Sequence, residues 1–357
     1  MVHSISRWSP FLAPLTACLL ASLSTGCKTR SRDLNLQLFE AQQPHMGTLF
    51  TISLYAPDKE SANRAAKAAF ARVAKLNRIM SDYEQESEIR RLVREPIGVP
   101  VKISGDLMQV LLHSRDLARQ TDSDFDVTIG PLIRYWRRAR RQRTLPDPER
   151  LAQVRPSVGY QKLKLDPANS TATLLAPDMF LDLGGVAKGY AADQALAELK
   201  KHGVHRALVA ASGDIRVGDP PPGKNGWTVD IASIDASNAD ERTDTLLLRN
   251  AAVSTSGDTE QYVPINGIRY SHIVDPRTGH GLRKRIGVTV VAEDATTTDS
   301  FATAISVMGA ERGLALIKAT PGTHALIVEK DDQSLTRVAS PDYHRLPRPP
   351  TQARPDH

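Results

Sequence analysis

The segment Leu181-Asp182-Leu183-Gly184-Gly185-Val186-Ala187-Lys188-Gly189-Tyr190-Ala191-Ala192, followed by Asp193, constrains the fold more than any other. An apolar strand ends in an acid, a Gly-Gly turn follows, and a helix begins. Glycines let the backbone approach a bulky ligand. The first turn of a helix offers unpaired N–H groups to a phosphate. The segment is not a Walker P-loop, because Gly189 rather than Ser or Thr follows Lys188, and it is not GxGxxG. Taken alone, it reads equally well as a tight strand-to-helix turn.

Strand and helix signals are mixed along the rest of the chain, which argues an α+β fold with mixed sheets and helices. Residues 46–55 have strand character. Residues 61–77 are helical, with Ala65, Ala69, Val73 and Leu76 on one face. Further helices are predicted over 88–93 and 106–121, from Gly185 to a stop at Gly203, and over 297–308 before Gly309. Strands are predicted at 164–165, 179–183, 207–211, 227–231, 245–248, 251–254 and 287–292. Residues 125–131 read as a strand-to-turn segment, and 141–157, charged and proline-bearing, as a linker or lid. A proline-rich, disordered tail is expected over 331–357. Residues 44–330, between a polar tether and this tail, hold the folded part, as one large domain or two lobes.

The chain is 357 residues long and 41% hydrophobic, ample for a sizeable core. The first 26 residues carry Arg7 as their single formal charge, so the net charge of +6 becomes +5 without them. Much of the excess lies in Arg134, Arg137, Arg138, Arg140, Arg141 and Arg143. Such a run reads first as a solvated helix face. No aromatic interleaving or nucleic-acid fold signature accompanies it, so no nucleic-acid partner is expected. Residues 1–26 have the pattern of an export signal whose apolar stretch is too short for a membrane span. Cys27 follows it at the boundary, before a polar tether over 27–43. Cys27 is therefore the expected lipidation site, and Cys18, after Leu15-Thr16-Ala17, the alternative. No cysteine follows Cys27, which excludes disulfides and thiol catalysis from the folded part.

Three further segments matter with Leu181 to Asp193: His45-Met46-Gly47-Thr48; Ser256-Gly257-Asp258 with Ser271-His272-Ile273-Val274-Asp275-Pro276-Arg277-Thr278-Gly279; and Thr298-Asp299-Ser300-Phe301-Ala302-Thr303-Ala304. In this order they resemble the ApbE family of FAD:protein FMN transferases, from about Pro44 to about Val328. The resemblance implies a T-fold-like catalytic domain that moves FMN from FAD to a Thr or Ser hydroxyl of an acceptor protein and releases AMP. It implies acceptor flavoproteins with a threonine flavinylation motif, among them membrane redox subunits. With the lipid anchor, it implies an exported enzyme held on a bacterial membrane, facing the periplasm or cell exterior.

Asp299 and Thr303, at i and i+4, share a helix face and offer hard oxygen donors suited to Mg²⁺. On spacing alone a first-turn acid and a surface threonine explain them more simply. The resemblance makes them metal ligands together with the Gly185 carbonyl, with Asp299 outside the core. An unperturbed imidazole can take a proton near neutrality, which makes His272 the candidate base, in a loop fixed by the turn signature after it. Among the flavin-contacting positions, the resemblance gives Met46, Tyr83, Asp124, Phe125, Asp126, Asp182, Lys188, His272 and Ile273, and it puts His45 in the substrate pocket. Lysine suits phosphate and tyrosine offers stacking area. Two segments depart from the family: Ala210-Ala211-Ser212-Gly213-Asp214, where Asn and Gly-Gly-Asp are common, and 256–261, which lacks the usual Tyr and Arg. Two other readings use the same residues: an FAD pyrophosphatase yielding FMN and AMP, and a non-catalytic flavin-binding lipoprotein.

Overall fold

From Ile286 to Ala292 every residue of one strand is buried, so that strand must be covered on both faces. It lies inside an eight-stranded sheet in the computed structural model, which describes residues 35–231, 244–257, 261–330 and 334–350. In chain order the elements begin with β1 (Gln37–His45), β2 (Thr48–Ala56), α1 (Lys59–Met80), α2 (Glu88–Leu92), β3 (Val101–Lys102), α3 (Gly105–Gln120), α4 (Gly130–Gln142) and α5 (Pro148–Val154). Then come β4 (Leu163–Asp166), β5 (Thr171–Leu174), α6 (Ala187–Lys201), β6 (Ala207–Ala211), β7 (Asp214–Val217), β8 (Trp227–Ile231), β9 (Asp244–Leu248) and β10 (Ala252–Gly257). The chain continues through β11 (Tyr262–Ile265), β12 (Ile268–Ser271), β13 (Arg285–Ala292), α7 (Ala295–Met308), α8 (Ala310–Ala319), β14 (His324–Lys330) and β15 (Leu335–Ala339).

The large sheet runs β1-β2-β6-β7-β10-β13-β14-β15, with every neighbouring pair antiparallel. On one face Ile52, Val209, Val288 and Val290 join Ala65, Leu76, Leu196 and Ile305 of the helices in the main core. On the other face Val253 and Val291 meet Trp227 and Leu246 of the β8–β9 hairpin. A third cluster stands apart: Leu132, Trp136 and Ala139 of α4, Leu151 of α5, and Val263, Ile265 and Tyr270 of the β11–β12 hairpin. Local chemistry sets the boundaries. Asp58 caps α1 by accepting from Ser61 N at 2.7 Å, and Asp294 caps α7 by accepting from Thr297 N at 2.7 Å. Met46 and Gly47 both have positive φ, 49° and 74°, as a two-residue hairpin turn between β1 and β2 requires.

The structure corrects the sequence-based boundaries in four places. The polar tether over 27–43 overlaps β1, whose residues 37–45 pair with β2 along their whole length, so the domain starts before residue 44. The tail over 331–357 is not all disordered: β15 completes the sheet, and Tyr343 is fully buried. Residues 179–183 form no strand. Phe180 makes a single bridge to Ile129, and Asp182 N donates to Val127 O at 2.8 Å. The expected linker at 141–157 contains helix α5, opened by Asp147 and Pro148. The lipidation site Cys27, its alternative Cys18 and the export signal lie outside the described residues.

Tyr343 anchors the C-terminal segment. Its hydroxyl donates to Asp244 Oδ2 at 2.9 Å, and Arg348 binds the same carboxylate at 3.1 Å. Burial works against ionised Asp244, but these two partners outweigh it and hold the carboxyl below its ordinary value. Tyr343→Ala is expected to lower the unfolding free energy in urea by roughly 3–5 kcal/mol, as for other large buried aromatics. Tyr343→Phe is expected to lose about 1–2 kcal/mol. A Tyr343→Ala variant as stable as wild type would show that the segment is dispensable.

Candidate functional site

The Gly184-Gly185 turn leads into α6, and α6 lies hard against α7. A Cβ on Gly189 would stand 2.0 Å from the Ala295 carbonyl oxygen. Each helix binds the start of the other through a carboxylate. Gly189 N donates to Asp299 Oδ2 at 2.9 Å. Ala295 N and Thr296 N each donate to Asp193 at 2.9 Å, and Arg216 Nε lies 3.0 Å from the same carboxylate. Asp299 is 4% exposed and belongs to this helix interface, which overturns its placement outside the core.

Lys188 Nζ pairs with Asp214 and lies 3.5 Å from Asp299 Oδ1. Burial pushes the Asp299 carboxyl up to about 7; Asp214 adds to that shift and Lys188 opposes it. Burial would lower the Lys188 ammonium, but Asp214 and Asp299 together hold it above its ordinary value. Two carboxylates thus share one ammonium, and the cluster carries one negative charge in excess when both are ionised. Next to it, a Cβ on Gly185 would meet Thr303 Cγ2 at 2.9 Å and Oγ1 at 3.0 Å, so only glycine leaves this corner open. Among the described residues no three His, Cys, Asp or Glu side chains converge as metal ligands. The set here is one carboxylate, one hydroxyl and one backbone carbonyl. All are hard oxygens beside surplus negative charge, and they fit a magnesium ion that keeps part of its water shell.

Two cavities meet at Tyr83, Arg137 and Gly184. One, of about 250 Å³, brings together Asp182, Gly185, Thr303, His272 and Ile273 with the backbone from Asp124 to Val127. The other, of about 730 Å³, takes in His45, Met46 and Lys188. Tyr83 is 73% exposed on the rim between them, with the Arg137 guanidinium 4.6 Å from its ring centre. His45 stands edge-on to Phe50, 6.2 Å away, and burial holds its imidazole below the ordinary value. Another cavity, of about 790 Å³ between α3, α7 and α8, contains none of the residues predicted for the site.

His272 follows β12. Its backbone N–H donates to Gln261 O at 3.0 Å, and Nδ1 lies 3.3 Å from the same oxygen. A carbonyl only accepts, so Nδ1 carries the proton and Nε2 is the basic nitrogen. The loop is fixed from behind: Ser271 N donates to Leu282 O, and Trp136 Nε1 to Ser271 O at 3.1 Å. Asp258, the other acid of the histidine motif, lies outside the described residues.

Several predicted ligand carboxylates already have partners in the protein. Asp126 accepts from Thr128 N, Thr128 Oγ1 and Tyr160 N at 2.7–2.8 Å, and burial still raises it. Asp124 pairs with Arg312 and lies 3.4 Å from Arg277. Asp182 accepts from Gly184 N at 2.8 Å and from Arg137 at 2.7 Å, and Arg137 also pairs with Asp82. Two site residues escaped the sequence reading. In sequence Arg137 falls inside a basic run that reads as a solvated face, although Leu132, Trp136 and Ala139 mark a buried stripe that puts Arg137 and Arg140 on its border. Asp214 was set aside with a variant segment, although Ser212-Gly213 is a two-residue hairpin signal that aligns it opposite Ala211.

The profile of the ApbE family matches residues 46–327. The chain is 28% identical over 324 residues to the FAD:protein FMN transferase of Vibrio cholerae, covering 89% of this chain and 94% of that protein. It is 30% identical over 272 residues to the FAD:protein FMN transferase of Haemophilus influenzae, covering 74% and 78%. The solved structure of the flavin transferase ApbE from Vibrio cholerae matches with a TM-score of 0.78 at 27% identity, over 87% of this chain and 99% of that one. The apo form of the Pseudomonas stutzeri flavinyl transferase ApbE gives 0.77 at 26%, over 87% and 97%.

Arg137 generates a pH-dependent test. Burial raises the Asp182 carboxyl and Arg137 pulls it back down. Arg137→Ala therefore raises it further. A carboxyl raised in the folded state binds its proton more tightly folded than unfolded, so stability falls as pH rises through that window. The deficit of Arg137→Ala against wild type is expected to grow from pH 4 to pH 7 in urea titrations. At neutrality it is expected to reach roughly 2 kcal/mol, less than for a fully buried pair because the guanidinium is partly exposed. A deficit that stays constant with pH would separate Asp182 from Arg137.

Proposed function

The chain belongs to the ApbE family, and from that premise we propose that it is a Mg²⁺-dependent FAD:protein FMN transferase, joining FMN through a phosphoester to a Thr or Ser hydroxyl of an acceptor protein. One observation carries the reading: Gly185 and Thr303 line the same cavity as His272. A cation held by Gly185 and Thr303 and a base at His272 would then act on one bound substrate.

Asp299, Thr303 and the Gly185 carbonyl would hold Mg²⁺, which neutralises charge on the pyrophosphate when bound. Lys188, which lines the adjoining cavity at the start of α6, would approach the same phosphates. Tyr83 and Arg137, where the two cavities meet, would stand beside the flavin ring. His272 Nε2 takes the proton of the acceptor hydroxyl as its oxygen bonds to the FMN phosphorus. The bridging P–O bond breaks, and AMP leaves with the electron pair. Water in place of the hydroxyl would give FMN and AMP, the pyrophosphatase outcome. A carrier that only stored flavin would have no use for both a base and a cation corner.

Asp299→Asn keeps an acceptor for Gly189 N but removes the charge. It is expected to abolish transfer and to remove Mg²⁺ binding in calorimetry while the fold survives. Wild-type transfer at full rate in excess EDTA would sink the magnesium assignment. His272→Asn is expected to lower transfer by about two to four decades, the range for losing a general base. The FAD dissociation constant, read by fluorescence quenching on the same preparation, is expected to change little. Affinity collapsing in step with rate would make His272 a binding residue.

The export signal and Cys27 support a place on the outer face of a bacterial membrane, held by lipid. Among the described residues no helix is long and apolar enough to cross a membrane. Mass spectrometry of membrane-extracted protein is expected to find a diacylglyceryl group on Cys27. The anchor is wrong if neither Cys27→Ser nor Cys18→Ser changes processing.

A further inference from the structure

Helix α4 carries two rows of arginine. Arg137 and Arg140 line the cavity that holds His272. Arg134, Arg138 and Arg141, at i, i+4 and i+7, share a different face and are exposed to solvent. Among the described residues none of these three forms an ion pair. The charge is concentrated further at the start of the row. Arg134 and Arg90 of α2 stack on one ring, their guanidinium carbons 5.0 and 4.7 Å from the centre of Phe180. Arg90 Nε is buried with no hydrogen-bond partner. Like charges gathered on one aromatic ring form a surface that gains by meeting an anion. A ridge whose every arginine had a carboxylate would not.

We propose that the Arg134–Arg138–Arg141 ridge docks an extended acidic segment of the acceptor protein, next to the hydroxyl that receives FMN. This rests on the transferase reading above. The position favours an acceptor over a membrane surface, because the adjacent face of the same helix forms the cavity wall. A chain lying on the ridge has its next residues at the cavity mouth. The dimensions agree. The ridge rises about 10 Å from Arg134 to Arg141, the reach of roughly three extended residues. Alternate residues of such a segment repeat at about 6.6 Å, close to the rise of about 6 Å between Arg134 and Arg138.

The test uses a fluorescein-labelled peptide with one threonine beside alternating aspartates, and its asparagine counterpart. Wild-type protein is expected to bind the acidic peptide about tenfold or more tightly than the asparagine one, with the difference fading in high salt. The charge-reversed variant R134E/R138E/R141E is expected to lose that preference. Its FAD affinity and its AMP release with water as acceptor are expected to stay within about twofold of wild type, since none of the three residues lines the cavity. Equal binding of both peptides by wild type, or an unchanged preference in the variant, overturns the ridge. Loss of binding to phosphatidylglycerol vesicles with unchanged peptide preference assigns the ridge to membrane and also overturns it. Peptide anisotropy is read without turnover, so a failure of the transferase reading shows separately, as absence of AMP release from FAD by wild-type protein.

Discussion

Helices α6 and α7 meet closely enough that a methyl group at Gly189 would collide with the Ala295 carbonyl. At that approach the unpaired N–H groups of both first turns are buried against each other and need acceptors. Asp299 serves α6 and Asp193 serves α7. The exchange fixes both the depth and the register of the crossing. The Gly184-Gly185 turn, Lys188 and Thr303 therefore arrive at one corner together. Asp299 is at once a structural partner of α6 and the carboxylate of the proposed magnesium site.

Electrostatics around the cavity follows from shared charges. Lys188 serves two carboxylates, Arg137 serves two, and Asp124 takes two arginines. A buried acid left without such a partner would be strongly destabilising. The walls are therefore neutralised mostly from within the chain, leaving the cluster around Asp299 with surplus negative charge. A cation fits there, while the guanidinium rows of α4 suit anions.

Much of this was legible in the sequence. β6 and β8 fell where alternation and β-branched residues put them, and α1, α3 and α7 followed their apolar stripes to within a few residues. The ordered motifs found the glycine turn, Thr303 and His272, and the cavity unites them. β1 was missed because an edge strand with one wet face, Gln37-Leu38-Phe39-Glu40-Ala41-Gln42-Gln43, has the composition of a polar linker. The C-terminal segment is hard to read in sequence because Tyr343 is the one large fully buried side chain among its described residues, set amid prolines. Charge pairing was the least legible layer. Nothing local tells that Arg137 reaches Asp82 and Asp182, because both partners come from distant segments that tertiary packing alone brings to α4.

The satellite cluster of α4, α5 and the β11–β12 hairpin is a separate body of packed side chains from the main core. The arginine rows ride on the satellite and Gly185, Asp299 and Thr303 on the main body, while His272 lies between Tyr270 of the satellite and Ile273 of the main core. The cavity is the seam between them. Among the described residues the ties between the two bodies include the Ile129–Phe180 bridge, Arg134 on the Phe180 ring, Arg137 fastened to Asp82 and Asp182, and the side chains of Ile273 and Leu282, which pack in the main core. The spacing of His272 from Gly185 and Thr303 is thus a joint tolerance, set by how the two bodies are fastened to each other and by the side chain of Ile273 reaching into the larger one.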